Sequence, residues 1–146
     1  MTPTPNAAAA AQQYRKLDTQ GAIENASPHR LIQLMMERVL TKIGIARAHI
    51  ERGEVGHKGK AVGDAIDLIN GLQASLNHDA DSKLSESFDA LYTYMMRRLL
   101  EANLRDDVAS LDEVSGLMKE LKEAWDAIAD QVVEPADTEE QPALQI

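Results

Sequence analysis

Apolar residues recur every three or four positions in four stretches of the chain, the spacing of one face of an α-helix. The first stretch begins at Ser27-Pro28, where serine caps free amides and proline fits the first turn. It stops at Gly53, a residue suited to the left-handed turn that ends helices. Its apolar positions are Leu31, Met35, Val39, Ile43, Ala46 and Ile50.

Three further stretches have the same period. After a glycine-bearing link from Gly53 to Gly59, the second helix is predicted through Ala61, Ala65, Leu68, Ile69, Leu72 and Leu76, and ends at Asn77-His78-Asp79. The third is predicted from Asp81 or Ser82 to Asn103, through Leu84, Phe88, Leu91, Met95 and Leu99. The fourth opens with a capping box from Ser110 to Glu113 and carries Leu111, Val114, Leu117, Leu121, Trp125, Ile128 and Val132 on one face.

Short links between helices of this length favour antiparallel neighbours. The sequence therefore predicts an all-α protein, an antiparallel up-and-down four-helix bundle over residues 27–132. Residues 1–26 are expected to be a flexible segment whose Tyr14, Leu17 and Ile23 dock as a cap. Residues 133–146 are expected to be a disordered acidic tail. Aromatic residues make up only 3% of the chain, so the core must be aliphatic.

The formal net charge of −9 argues against nucleic acid or an anionic membrane as the main partner. The chain has no cysteine, which excludes disulfides and thiolate chemistry. Its first residues lack the features of a signal peptide, and no apolar stretch is long enough to span a bilayer. A cytoplasmic location is expected.

Chemistry in a helical bundle would most simply be a di-iron site, which needs two Glu-x-x-His motifs. The chain has one such motif, Glu54 to His57, and it falls in a predicted link. His29, His49 and His78 have no ligand spacing and are expected on the surface, while Asp79 to Ser85 lacks the glycine of a calcium loop. No cofactor, metal or enzymatic activity is predicted, and a metalloenzyme is the weaker alternative. Arg97 is expected to pair with Glu101 one turn later.

Three of the helices carry more apolar surface than one core stripe needs. Surplus apolar area of this kind favours a groove for a partner helix, and methionine-rich surfaces adapt to varied shapes. The N-terminal segment could shield that groove. The alternatives are a wide core or a structural homodimer. The predicted partner-binding residues are Tyr14, Leu17, Ile32, Met36, Leu40, Val62, Ile66, Tyr92, Met96, Leu100 and Asn103.

Several segments resemble one known family. They are Ala26-Ser-Pro-His-Arg-Leu-Ile32, the stretch Leu91-Tyr-Thr-Tyr-Met-Met-Arg-Arg-Leu-Leu-Glu-Ala-Asn103, Leu111-Asp-Glu-Val114 and Glu123-Ala-Trp125. In this order they are similar to the FliS family of flagellin export chaperones, over about Tyr14 to Ile128. The resemblance implies a helical bundle that binds the disordered C-terminal segment of flagellin, prevents its premature polymerisation, and helps deliver it to the export gate of the flagellar type III apparatus. It also implies that the region around Tyr14 is a displaceable cap.

Overall fold

The computed structural model describes residues 26–77 and 82–132, which form four α-helices. We number them α1 (Pro28–Glu51), α2 (Val55–Ala74), α3 (Ser82–Arg105) and α4 (Val108–Val132). Helix α1 packs against α2 and α4, and α3 packs against the same two helices. The helices therefore close into a four-membered bundle, and the predicted all-α fold class is confirmed.

Contacts between the ends of the helices show that neighbours run antiparallel. His29 at the start of α1 stacks on Trp125 late in α4, whereas Arg47 late in α1 bonds Asp112 early in α4. Lys58 early in α2 likewise bonds the backbone of Asn103 late in α3. The up-and-down topology predicted from the short links is thus confirmed.

An aliphatic and methionine-rich core fills the bundle. Every helix contributes fully buried side chains, among them Met35, Leu68, Met95 and Met118. Since each helix contacts two neighbours, the apolar arc that it must bury is wider than the stripe of a helix lying on one partner. The wider buried arc explains part of the apolar surface that, in the sequence analysis, exceeded the needs of one core stripe.

The predicted ends of α1 are confirmed. The Ser27 side chain accepts a hydrogen bond from the Arg30 amide at 3.1 Å, which caps the first turn. After the helix, Gly53 has a φ of 74°, a left-handed conformation that glycine adopts without a steric cost. The chain reverses there within three residues, and α2 begins at Val55. The predicted link to Gly59 was therefore too long, because Gly56 and Gly59 lie inside the first turns of α2.

The predicted capping box of α4 was wrong. Asp106 has a φ of 53°, so the chain leaves α3 in a left-handed turn, and Asp107 becomes the cap of α4. Its carboxylate accepts hydrogen bonds from the Ala109 and Ser110 amides at 3.0 and 3.3 Å and from the Ser110 hydroxyl. These bonds, chiefly the one from the Ser110 hydroxyl, lower the pKa of Asp107. Glu113, the other expected member of the box, bonds α3 instead.

The predicted N-terminal cap, the acidic tail and His78 all lie outside the described residues. The domain boundaries drawn at residues 26 and 133 therefore stay predictions.

Candidate partner-binding surface

Polar contacts near both ends of the α2–α3 pair fix the register of the two helices. Lys58 donates to the Asn103 carbonyl at 2.9 Å, and Gln73 donates to the Thr93 hydroxyl at 2.9 Å. Because the two helices run antiparallel, each turn of α2 between these contacts lies beside the corresponding turn of α3, counted in reverse. This register places Ile66 opposite Met96. One turn nearer the Lys58 end, Gly63 lies opposite the turn that carries Leu100.

The outer edge of this helix pair is an apolar strip that the bundle leaves partly uncovered. Leu100 is 52% exposed and Leu104 is 82% exposed, both on α3. Ile66 and Met96 are half-buried and pack against the core beneath. We call the strip formed by Gly59, Gly63, Ile66, Met96, Leu100, Asn103 and Leu104 the α2–α3 flank.

At two positions on the α2 side of this flank, glycine leaves the surface without a side chain. A Cβ atom added at Gly63 would meet nothing within 4 Å, and one added at Gly59 would approach only the Asn103 Oδ1, at 4.0 Å. Without side chains at these positions, the helix backbone itself is accessible beside the exposed leucines. Another chain could therefore approach α2 more closely here than over a normal helix surface.

Asn103 places a polar group at one end of the flank. Its backbone carbonyl accepts from Lys58, but its side-chain Oδ1 is buried and has no hydrogen-bond partner. A buried amide oxygen without a donor is costly. The flank thus combines apolar side chains with one acceptor whose hydrogen-bonding capacity is unused.

Four of the predicted partner-binding residues lie in the core rather than on the surface. Ile32, Met36, Val62 and Tyr92 all belong to the main buried cluster. The expectation that they form flanks beyond the core was wrong for this chain as folded, because each helix buries its apolar arc against two neighbours. Burial also raises the pKa of the Tyr92 phenol, which stays neutral. Whether these residues contact a partner stays a prediction.

The other seven predicted residues comprise one group of four, the single residue Leu40, and a pair that the structure does not describe. Ile66, Met96, Leu100 and Asn103 come together on the α2–α3 flank. Leu40 is half-buried on α1, near the seam with α4 that is bridged by Gln33–Asp126 and Lys122–Glu37. Tyr14 and Leu17 lie outside the described residues. The structure therefore brings four of the eleven residues into one surface.

Sequence reasoning missed Leu104, the most exposed large apolar residue of the described chain. It follows Leu100 by four positions and so extends the row of Tyr92, Met96 and Leu100. Asn103 was chosen instead to end the row. A stricter count of the helical repeat would have found Leu104, whereas the role of Gly59 and Gly63 needed the position of α3.

Arg98, and not Arg97 as predicted, forms the ion pair with Glu101. Arg98 donates to Glu101 at 2.6 Å and to Glu113 of α4 at 2.7 Å, and Tyr94 also donates to Glu113. The bond from Tyr94 and then that from Arg98 lower the pKa of Glu113. This network joins α3 to α4. Its residues on α3 lie on the side of that helix opposite the flank.

The one Glu-x-x-His motif takes part in the turn between α1 and α2. Glu54 bonds the His49 ring at 2.6 Å, which lowers the pKa of Glu54, and the His49 and His57 rings stack with centroids 5.1 Å apart. In the part of the chain that the structure describes, no group of three or more His, Asp or Glu residues is placed to hold a metal ion. None of the helices in that part is long and apolar enough to cross a membrane.

Comparison with known proteins identifies the family of the chain. A family model described as flagellar protein FliS matches residues 10–132. The flagellar secretion chaperone FliSB of Pseudomonas aeruginosa is 41% identical over 120 residues, which cover 82% of this chain and 95% of that protein. The flagellar secretion chaperone FliS of Salmonella typhimurium is 38% identical over 117 residues, or 80% and 87% of the two chains. That of Bacillus subtilis is 32% identical over 106 residues, or 73% and 78%.

A helical bundle with an exposed apolar flank is typical of the class of helical proteins that bind partners. Within that class, the extent of the matches decides the family: this chain belongs to the FliS family of flagellar secretion chaperones. Its role is that of a flagellar export chaperone, and the family consists of chaperones and not of enzymes.

Proposed function

We propose that the chain binds the disordered C-terminal segment of flagellin through the α2–α3 flank. Binding there keeps flagellin from polymerising before export and presents it to the flagellar type III export gate, in the cytoplasm. The observation that carries the proposal is the exposure of Leu100 and Leu104 beside the bare backbone of Gly59 and Gly63.

The shape of the flank favours a helical client segment. An amphipathic helix places apolar side chains three and four positions apart, which matches the four-residue spacing of Met96, Leu100 and Leu104. Small residues opposite that row permit close packing of backbones, so the contact area per residue is high. Half-buried Met96 can adapt its unbranched side chain to the client.

One polar contact would add orientation to this apolar binding. The Asn103 Oδ1 lacks a donor in the free chain. A donor from the client, placed at the end of the flank, would satisfy this oxygen and fix the register of the bound helix. An amide or hydroxyl of the client segment has the chemistry to do so.

Release at the gate requires that the net affinity stay moderate. Ordering a disordered segment consumes about 2–5 kcal/mol of the gross interaction energy. A client that folds only on the chaperone therefore binds more weakly than its buried area suggests. Binding of this kind protects the segment yet allows its transfer to the export gate.

Leu100→Asp tests the proposal. A carboxylate in an apolar contact costs at least about 3 kcal/mol, or roughly a hundredfold in affinity. Because Leu100 is half exposed in the free chain, the bundle is expected to stay folded by circular dichroism. Calorimetric titration with a synthetic peptide of the flagellin C-terminus should then show the loss of affinity.

Ile45→Asp is the matched control, since Ile45 is also a partly exposed apolar residue but lies on α1, away from the flank. It is expected to leave the affinity unchanged. Equal affinity of both variants and the parent chain would contradict the proposed surface. A homodimer that light scattering finds unchanged by excess peptide would contradict the proposed function and favour a structural bundle.

A further inference from the structure

His29 is buried in a way that the function described so far does not use. It is 8% exposed, in the first turn of α1, and neither of its ring nitrogens has a hydrogen-bond partner. Its ring stacks on that of Trp125 of α4, with centroids 4.4 Å apart and an interplanar angle of 7°. The expectation of a surface histidine was therefore wrong, since an imidazole offers a flat face that packs against indole.

The Trp125 indole also contacts the backbone of His29. Its Nε1 donates to the His29 carbonyl at 3.0 Å. The stack and this hydrogen bond together fasten the first turn of α1 to α4. Ile32, one turn further along α1, is buried as well.

A protonated His29 is poorly accommodated in this position. An imidazolium carries two N–H donors, and both nitrogens are enclosed without a partner. Desolvation by burial lowers the pKa of His29, and the Asp126 carboxylate and the Trp125 backbone oppose this only in part. His29 also lies at the positive end of the α1 dipole, where a cation is disfavoured.

Among the residues that the structure describes, the charges around His29 do not supply a free counter-ion. Asp126 of α4 is already bonded by Gln33 of α1 and by Lys122 of its own helix, and Lys122 also pairs with Glu37. Arg30, beside His29, bonds outward to Gln33 and Glu37. The described residues at and just after the end of α2, Gln73 to Asn77, include no charged residue, and Lys83 and Glu86 at the start of α3 are exposed.

We propose that His29 and Trp125 form an acid-sensitive latch. With His29 neutral, the stack holds the first turn of α1 closed on α4. When His29 takes up a proton, the ring leaves the stack and that turn opens, which uncovers Trp125 and Ile32. Any effect of the latch on client binding rests on the function proposed above, but the latch itself does not.

The direction of the pH dependence follows from the lowered pKa. The unfolded or open state binds a proton near the ordinary histidine pKa of about 6.5, and the closed state only below it. Closure is therefore fully stabilised above about pH 6.5 and weakens as the pH falls towards the closed-state value. In that window the ratio of open to closed molecules rises by up to about tenfold per pH unit.

Trp125 is the only tryptophan of the chain, so its fluorescence reports the latch without a label and without a client. Quenching of Trp125 by acrylamide, measured between pH 8 and pH 4.5, is expected to increase below pH 6.5 while the helix content by circular dichroism stays constant. His29→Phe, which keeps the stack but cannot titrate, is expected to abolish the increase. His57→Phe, at an exposed histidine far from Trp125, is expected to behave like the parent chain.

Three results would overturn the proposal: an unchanged accessibility of Trp125 across the range, the same increase in His29→Phe, or an increase that coincides with loss of helix. His29→Gln provides a second non-titrating variant if His29→Phe does not fold. The pH series on the parent chain still decides the matter if neither variant folds, since it overturns the latch if Trp125 stays inaccessible. None of these outcomes depends on whether the chain binds flagellin.

Discussion

Lys58 is a buried lysine that joins α2 to the end of α3, and its replacement by methionine tests what holds the α2–α3 flank in register. The residue is only 5% exposed. Its ammonium donates to the Asn103 carbonyl, one of the last carbonyls of α3, and to the carboxylate of Asp106. Methionine keeps most of the apolar stem and removes the charge together with both hydrogen bonds.

The expected cost is modest because two effects oppose each other. A charge-assisted hydrogen bond to a buried carbonyl contributes about 1.5–3 kcal/mol. The pair with Asp106, whose side chain is half exposed, adds at most about 1 kcal/mol. Removing a buried charge returns part of its desolvation cost. We expect a net loss of about 1–2 kcal/mol, which for an m-value near 2 kcal/mol/M lowers the urea midpoint by roughly 0.5–1 M.

Lys60→Met provides the matched control two residues away. The Lys60 side chain is 79% exposed and pairs only with Asp64 on the same helix. Its replacement is expected to change the stability by less than about 0.5 kcal/mol. Urea unfolding followed by circular dichroism compares the two variants. Equal midpoints, or a Lys58→Met variant more stable than the parent chain, would show that Lys58 does not anchor the end of α3.

Three further experiments, with five variants in all, test other contacts. Gly63→Ala is expected to stabilise the free bundle by about 0.5–1 kcal/mol and to weaken peptide binding. The control Gly116→Ala on α4 is expected to stabilise the bundle without weakening peptide binding. Equal peptide affinity of the two variants would refute close packing of the peptide on α2. Met96→Asp is expected to fold but bind weakly, and buried Leu121→Asp to lose its helical circular dichroism; unchanged calorimetric affinity of Met96→Asp would remove it from the surface. Asp107→Ala is expected to lower the urea midpoint at pH 7, a difference that shrinks as the pH falls below about 4 through the lowered pKa of Asp107; a constant difference would contradict the cap.

The helices could be predicted from the sequence because their signals are local. The spacing of apolar residues and the caps at Ser27 and Gly53 depend on neighbours within a few positions, and these placed α1 correctly. The start of α4 could not be placed in the same way. Ser110 and Glu113 match the capping pattern. However, Asp106 adopts a left-handed conformation, so the helix begins earlier and Asp107 caps it. The conformation of the whole turn therefore decides which residue is the cap.

The candidate surface could be predicted only in part, because exposure depends on neighbours that a helical projection does not contain. The row of Met96 and Leu100 was found from its period. Ile32 and Met36 follow the same rule but face a second neighbouring helix, so they are buried. His29 shows the same limit, since its burial depends on Trp125, which lies far away along the chain.

The absence of cysteine permits a direct test of the central claim, that the α2–α3 flank is the surface that binds flagellin. A single cysteine replaces Leu104 on the flank, and a second variant carries it at Ala124, an exposed position on α4. The rate of thiol labelling is measured with and without saturating flagellin C-terminal peptide. We predict strong protection at position 104 and none at position 124. Bound peptide that leaves position 104 as reactive as before would contradict the account.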